Sequence, residues 1–205
     1  MIIAVDGPTA SGKGTISKRL AAHFGLPHLD TGLLYRAVGR QVILAGGDPD
    51  RPQDALAAVD FPAELLDEPV LRDEATGSLA SRASVHPAVR KALFERQRAF
   101  ALQDGGAVLD GRDIGTVIAP DADVKLFITA SVEARAQRRF KEMQQRGSSI
   151  TLTEIEADLR RRDERDTNRT DAPLIAASDA YVIDTSVLDI EEAFAAALEA
   201  INQAS

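Results

Sequence analysis

The sequence predicts an α/β fold in which a parallel sheet of five strands is covered by helices on both faces. Two observations predict it: short apolar runs rich in β-branched residues alternate with longer amphipathic stretches, and turn residues follow each apolar run. Helices that connect successive strands return the chain to the same end of the sheet, so the strands pair in parallel, and such crossovers are right-handed. The predicted strands are 2–5, 26–29, 107–109, 124–128 and 181–183, and the predicted helices are 13–24, 32–45, 87–103, 132–146, 153–168 and 190–202.

The two ends of the chain carry the clearest local signals. Residues 2–5 read IIAV, and the glycines that follow separate them from an amphipathic helix over 13–24. At the other end, Asp189 is suited to the N-cap position and Glu192, three residues later, completes a capping-box pattern. One face of that last helix carries the apolar side chains Phe194, Ala197, Leu198 and Ile201.

Composition narrows the classes of protein that the chain can belong to. With 205 residues, 44% of them hydrophobic and 27% charged, it is predicted to form a single domain over 1–205. The net charge of −8 opposes long-range attraction to nucleic acid, so no nucleic-acid partner is expected. The absence of cysteine excludes disulfides and thiolate chemistry. The N-terminus resembles neither a signal peptide nor a membrane span, which predicts a cytoplasmic protein with no membrane partner.

The segment 46–80 interrupts the alternation of strands and helices. It contains Pro49, Pro52, Pro62 and Pro69 together with several glycines and many acidic residues. These prolines and glycines predict a small insert that lies outside the main sheet.

A glycine-rich segment, GPTASGKGT, follows the first predicted strand and opens the first predicted helix. In this setting GxxxxGK is the pattern of a phosphate-binding loop (P-loop): glycines let backbone N–H groups surround a phosphate, and the lysine reaches the terminal phosphates. A glycine-rich turn that binds nothing is the alternative, and the strand and the lysine both argue against it. The predicted ligands of the nucleotide phosphates are Gly7, Pro8, Thr9, Ala10, Ser11, Gly12, Lys13, Gly14 and Thr15.

The expected hydroxyl of this loop arrives one residue late. Gly14 directly follows Lys13, and Thr15 comes next, so Thr15 is a candidate Mg²⁺ ligand whose contact is direct or through water. Asp110 ends the apolar run AVLD at the neighbouring strand end, where an acid can hold the magnesium shell. Asp110 could instead cap a turn or a helix.

Several arginines lie shortly after predicted strands or in the arginine-rich run 160–169, and their number indicates the acceptor. Arg36, Arg112 and Arg162 are the candidates, and Arg162, Asp166 and Arg169 are spaced to share one helix face. Two unit charges 4 Å apart repel by about 4 kcal/mol at an effective dielectric of about 20. Several guanidinium groups are therefore needed where both substrates carry phosphate, which favours a phosphate monoester as acceptor. A solvated charged surface is the alternative for any one arginine.

Five segments in order, GPTASGKGT, LDTGLLYR, SVHPAVR, LDGRDIGTV and RRRDERDTNR, resemble bacterial cytidylate kinases within the nucleoside monophosphate kinase family. The resemblance implies transfer of the ATP γ-phosphate to CMP or dCMP with Mg²⁺, in a monomeric protein. It implies catalytic roles for Lys13, Arg112 and Arg162. The residues that it implies for the monophosphate nucleotide are Thr31, Arg36, Ser81, Arg90, Arg112, Asp113, Arg162, Asp166 and Arg169.

Within that set, Asp113 with Ser81 and Arg90 matches the cytosine ring, which offers an exocyclic amine together with N3 and O2 acceptors. Uracil presents a carbonyl in place of the amine, so a preference for cytosine is expected.

Two departures from the family pattern carry expectations about the structure. Thr31 stands where the family has serine. Cytidylate kinases of this type also carry a small sheet where 46–80 lies, and this segment is too short for the full version of that NMP-binding insert. A short lid is predicted over 145–152, between the two arginine-bearing helices.

Other functions remain open. The runner-up is a P-loop kinase of another acceptor: UMP, another nucleoside monophosphate, a sugar acid or a shikimate-like alcohol. A nucleotide-dependent switch is a further candidate, although the chain has no NKxD-type segment for guanine. Packing or capping roles, rather than metal ligation, are expected for His23, His28 and His86.

Overall fold

The computed structural model describes residues 1–145 and 147–204 and shows a five-stranded sheet flanked by helices, which confirms the α/β prediction. The strand order is β2-β3-β1-β4-β5, and β1 pairs in parallel with β3 and β4, as β4 does with β5. The strands are β1 (Ile2–Asp6), β2 (His28–Asp30), β3 (Ala107–Gly111), β4 (Val124–Thr129) and β5 (Tyr181–Asp184).

Eight helices are present in the described residues. They are α1 (Lys13–Phe24), α2 (Thr31–Leu44), α3 (Pro52–Ala57), α4 (Glu74–Ala83), α5 (Pro87–Ala101), α6 (Val132–Gln145), α7 (Leu152–Thr167) and α8 (Ile190–Ala204). Short 3₁₀ segments cover Ala63–Asp67 and Pro69–Arg72, and a π-helical turn covers Ile114–Ile118. None of the described helices combines the length and the apolar character that crossing a membrane requires.

The chain divides into two compact units, which are described separately. The sheet unit consists of Met1–Leu29 and Gln103–Ser205, and the helical unit consists of Asp30–Leu102. The predicted insert 46–80 lies inside the helical unit. Its proposed role in binding a nucleotide stays a prediction.

The core of the sheet unit forms where α1 and α8 pack on the central strands. Ile3 and Val5 of β1, Leu20 of α1 and Ile201 of α8 are almost fully buried in one cluster. Strands covered in this way have no solvated face, which explains why they read as continuous apolar runs rather than as alternating patterns.

The last helix begins as its sequence predicts. The Asp189 carboxylate accepts a hydrogen bond from Glu192 N at 2.9 Å, and the Glu192 carboxylate accepts one from Asp189 N at 2.9 Å. Helix α7 has the same arrangement, with Thr151 as N-cap and Glu154 as its partner. These reciprocal bonds satisfy backbone N–H groups that have no partner within the helix.

The secondary structure of segment 46–80, within the helical unit, differs from what its prolines and glycines and the family resemblance suggest. Within the described residues 46–80 there is no strand; the segment forms α3, two 3₁₀ segments and the first part of α4. Two of its prolines mark helix starts: Pro52 is the first residue of α3 and Pro69 the first residue of a 3₁₀ segment, positions where the missing N–H is not needed. Helices α2 and α4 approach closely at Gly39, where an added Cβ would lie 2.8 Å from Leu79 Cβ.

The predicted lid 145–152 falls between α6 and α7. Arg146 lies outside the described residues. Gly147 adopts a left-handed conformation (φ 74°), and Thr151 already serves as the N-cap of α7. Closure of this segment over a ligand stays a prediction.

The Asp189 cap provides a direct test of the local energetics. We expect Asp189→Ala to lower the free energy of unfolding by about 1 kcal/mol, because two N–H groups lose their partner or its orientation. Urea denaturation followed by circular dichroism measures the difference. Asn202→Ala, an exposed change in the last turn of the same helix, serves as the control and should stay within about 0.5 kcal/mol. Equal stabilities of the two variants would contradict the capping role.

Candidate active site

The loop between β1 and α1 has the backbone conformation that its glycines predict. Gly7 has φ 152°, and a Cβ there would lie 2.0 Å from Ile128 O of β4, so only glycine fits. Gly12 has φ 92° directly before α1, and Ala10 has the uncommon value of 63°. The first turn of α1 carries no acidic residue. The positive end of the helix is therefore available to an anion.

Side chains from α6 and the segment after β5 bind the carbonyl groups of this loop. Arg135 donates to Thr9 O at 3.2 Å, while Arg138 and the Thr185 hydroxyl donate to Ser11 O at 3.5 and 2.9 Å. In a trans peptide the C=O and the N–H point in opposite directions. The N–H groups of Ala10 and Gly12 therefore point away from these side chains, which is the orientation that a phosphate cradle requires.

Sequence reasoning missed Arg135. It is buried at 3% exposure, and its guanidinium donates to both Asp163 oxygens, at 3.0 and 2.5 Å. Arg135 and Asp163 lie on different helices, so no local spacing reveals the pair.

Arg112 brings three of the predicted site residues together. Its Nε donates to Asp166 Oδ2 at 2.8 Å, and one terminal nitrogen donates to Thr9 Oγ1 at 2.7 Å. The same guanidinium therefore joins the segment after β3, the phosphate loop and α7. Lys13, at the end of the same loop, donates a hydrogen bond from Nζ to Pro8 O at 3.3 Å.

The arginines of α7 divide into buried and exposed groups. Arg162 and Asp166 are buried, with 4% and 6% exposure, and Arg162 Nε lies 2.7 Å from Asp158 Oδ2. Arg160 and Arg161 have more than half of their side chains exposed, so the solvated-surface interpretation holds for them.

One part of the helix-face prediction is wrong. Helix α7 ends at Thr167, and the chain bends at Asn168, so Arg169 is not on the same helix face as Arg162 and Asp166. Arg169 instead donates to Ala172 O at 2.8 Å in the segment that follows the helix.

Asp110 is buried in β3 beside the start of α1. A Cβ added to Gly14 would lie 3.6 Å from Asp110 Oδ2, which places this carboxylate next to the phosphate loop. His28 Nε2 lies 3.0 Å from the same oxygen, a partner that the sequence did not reveal. The described residues contain no group of three or more His, Cys, Asp or Glu side chains that could hold a metal ion by themselves.

Asp6 is a further buried acid that the sequence analysis did not select. It ends β1, and its carboxylate accepts hydrogen bonds from Ile114 N and Gly115 N, both at 2.8 Å. Burial raises the pKa of Asp6 from 3.8 to about 7; the two backbone bonds lower it, Asp113 raises it and Lys13 lowers it. Its place at the carboxyl end of the central strand, directly before the loop, was the available signal.

In the helical unit, Thr31 and Arg36 lie on α2, Ser81 on α4 and Arg90 on α5. Arg36 donates to Leu71 O at 2.7 Å and to Asp73 O at 2.9 Å. Arg90 is buried, with its guanidinium carbon 5.6 Å from the centre of the Tyr35 ring.

A glycine-rich loop between the first strand and the first helix of a parallel sheet, with a lysine opening that helix, defines a P-loop protein of the kinase-like α/β class. The family model described as cytidylate kinase matches residues 3–203. The chain belongs to the cytidylate kinase family.

Individual cytidylate kinases are similar in sequence to this chain over nearly its whole length. It is 55% identical to the cytidylate kinase of Azorhizobium caulinodans, covering 100% of this chain and 99% of that protein. It is 54% identical to that of Xanthobacter autotrophicus, over 97% and 95%, and 53% identical to that of Brucella ovis, over 99% and 93%.

Two solved structures share the fold at low sequence identity. A crystal structure of an uncharacterized protein from Eubacterium ventriosum superimposes with a TM-score of 0.57 at 16% identity, covering 98% of each chain. One from Thermus thermophilus gives a TM-score of 0.50 at 22% identity, covering 99% of this chain and 96% of that one.

The raised pKa of Asp6 predicts a pH-dependent stability. Between about pH 4 and 7 the folded state keeps a proton on Asp6 that the unfolded state has lost, so this group makes unfolding easier as pH rises. The difference between 3.8 and about 7 corresponds to roughly 4 kcal/mol.

We expect the unfolding free energy of the unchanged protein to fall, relative to that of Asp6→Asn, as pH rises from 4 to 7. Urea denaturation of both proteins at several pH values measures this, and subtraction removes the contribution of groups common to both. A difference that does not vary with pH would contradict the assignment.

Proposed function

We propose that this chain transfers the γ-phosphate of ATP to CMP, and to dCMP, by in-line attack of an acceptor phosphate oxygen. The observation that carries the proposal is the Arg112 guanidinium, which bonds the phosphate loop through Thr9 and α7 through Asp166. Family membership over 3–203 supports the same acceptor.

The donor site is the loop itself. In this proposal the backbone N–H groups of the loop, to which Pro8 contributes none, and the N-terminus of α1 surround the ATP phosphates, and Lys13 reaches the terminal ones. The loop is pre-organised, because Arg135, Arg138 and Thr185 already hold its carbonyls. Little reorganisation is then needed when ATP binds, which favours electrostatic catalysis.

Catalysis in this proposal is positioning and charge stabilisation without a covalent intermediate or a strong base. Lys13, Arg112 and Arg162 offset the repulsion between the two phosphorylated substrates, about 4 kcal/mol for each pair of unit charges 4 Å apart at an effective dielectric of about 20. Arg112 and Arg162 can each grip phosphate oxygens with two N–H groups.

For the monophosphate nucleotide we propose roles that follow the family resemblance and the chemistry of the base. Asp113, Ser81 and Arg90 match the hydrogen-bonding edge of cytosine, and Asp166 accepts from a sugar hydroxyl. The remaining residues in this assignment are Thr31, Arg36, Arg112, Arg162 and Arg169.

The residues beside the loop fit Mg²⁺, which binds proteins through one or two carboxylates and otherwise takes water and substrate phosphates. Asp110 would hold it, directly or through water, since its buried carboxylate lies against Gly14. Thr15 is the second candidate, in the exposed first turn of α1. When bound, the ion neutralises charge that develops on the transferring phosphate.

The other functions are less well supported. A kinase of a neutral alcohol needs fewer cations than Lys13, Arg112 and Arg162 provide, and the family model matches nearly the whole chain. The monomeric state, the cytoplasmic location and the absence of a nucleic-acid partner stay predictions.

A panel of acceptors tests the function. With ATP and Mg²⁺, we expect CMP and dCMP to give a kcat/KM about 10⁴-fold above that of UMP, because a buried carboxylate left facing a carbonyl is heavily penalised. ADP release measured across the common nucleoside monophosphates, shikimate and acceptor-free ATP distinguishes the alternatives. Release that does not depend on CMP would indicate a switch rather than a kinase.

Lys13 provides the test of the donor site. We expect Lys13→Ala to lower kcat by about 10²- to 10³-fold, since it removes a cation aimed at developing charge. Lys18→Ala removes an exposed lysine from the same helix and should keep normal turnover. Unfolding free energies of both variants should change little. Near-normal turnover of Lys13→Ala would contradict its role.

A further inference from the structure

Asp6 joins two segments that lie far apart in the sequence. It ends β1 directly before Gly7 of the phosphate loop, and its two carboxylate oxygens accept separate backbone hydrogen bonds from Ile114 and Gly115, both at 2.8 Å. Those two residues begin the π-helical turn Ile114–Ile118. Asp6 therefore acts as the N-terminal cap of a turn whose own flanking side chains make no cap bond.

The group that forms this cap is a carboxyl group whose burial is energetically unfavourable. Asp6 is 5% exposed, and burial raises its pKa to about 7. Burying a carboxyl group is unfavourable, and the two hydrogen bonds from backbone N–H groups offset part of the loss.

The turn holds Asp113 in place. The Asp113 carbonyl accepts hydrogen bonds from Val117 N at 2.9 Å and Ile118 N at 3.1 Å, so its backbone is part of the turn that Asp6 caps. A Cβ added to Gly115 would lie 3.2 Å from Lys125 Cδ and 3.4 Å from Asp6 Oδ2, so the turn packs against both side chains. The backbone of Asp113 is therefore part of the turn that the Asp6 contact holds.

Arg112 depends on Asp6 less. Its guanidinium has independent anchors at Asp166, Thr9 and Gly111 O. The phosphate loop likewise has its own anchors at the Thr9 and Ser11 carbonyls. Loss of the Asp6 cap should thus disturb the acceptor residue Asp113 while the donor side stays in place.

We propose that Asp6 is a positioning residue for acceptor selection: its carboxylate clamps Ile114 N and Gly115 N and thereby orients Asp113 toward the base of the nucleotide. The proposal rests on the proposed role of Asp113 in reading cytosine.

The test is a double-mutant cycle of Asp6→Asn and Asp113→Ala. Asparagine has the shape of aspartate but only one acceptor oxygen, so one clamped N–H would face an NH₂ group. We expect Asp6→Asn to raise KM for CMP about tenfold. The ratio of kcat/KM for CMP to kcat/KM for UMP should fall about tenfold as well, whereas KM for ATP should change less than about twofold. In the Asp113→Ala background, the same change should alter the ratio less than about twofold.

The outcomes separate the two proposals. If Asp113→Ala loses the preference for CMP while Asp6→Asn keeps it, only the Asp6 proposal is overturned. If Asp113→Ala keeps the preference, the role of Asp113 and the Asp6 proposal both fall, while CMP-dependent turnover of the unchanged protein still supports the function. Equal rises in KM for CMP and ATP would place Asp6 with the donor loop and overturn the proposal.

Two controls separate positioning from general destabilisation. Val5→Ala removes a fully buried side chain from the same strand and should lower stability without changing the CMP/UMP ratio. Amide hydrogen exchange of Ile114 and Gly115 should accelerate at least tenfold in Asp6→Asn, and unchanged exchange would overturn the clamp. If Asp6→Asn does not fold, Gly115→Ala, whose added methyl would lie 3.2 Å from Lys125 Cδ and 3.4 Å from Asp6 Oδ2 and so crowds the residue that donates to Asp6, should give the same split between the two KM values.

Discussion

The site depends on the fact that the C=O and the N–H of one trans peptide point in opposite directions. Thr9 O and Ser11 O are bound by Arg135, Arg138 and the Thr185 hydroxyl, and the N–H groups of the same peptides are turned the other way. A loop shaped for an anion is thus maintained by two guanidinium groups and a hydroxyl group that bind its opposite side. Because those contacts form within the folded protein, the orientation of the amides does not have to be established by the substrate.

The arginines consequently form two groups, those that hold the scaffold and those that contact candidate substrate-binding residues. Burial alone does not distinguish the two groups. Arg135 and Arg162 are almost equally buried, at 3% and 4% exposure. The Arg135 guanidinium donates its N–H groups to Asp163, Ala130 O and Thr9 O, which makes it part of the scaffold. Arg112 connects residues that are themselves candidates for substrate contact. The identity of each partner, rather than the arginine itself, indicates the role.

Local patterns predicted the elements whose signals are local. The apolar runs identified all five strands, and Asp189 with Glu192 identified the start of α8. Helices α3 and α4 were missed. For α3 the reason is that Pro52, which begins the helix, looks like loop punctuation when no strand or helix frames it. Arg169 was placed on a helix that ends before it, since periodicity does not specify where the chain bends.

Contacts between distant segments could not be predicted in this way, and Asp6 shows why. Its partners are separated from it by more than a hundred residues, and an acid before a glycine loop is equally compatible with a turn cap or an exposed site. Only the register Asp6↔Gly111 between β1 and β3 brings the carboxylate to the turn that follows β3. Central position in a parallel sheet thus gives one strand end access to both neighbours. A single buried carboxyl group there links the strand end that precedes the glycine-rich loop to the turn that follows Asp113.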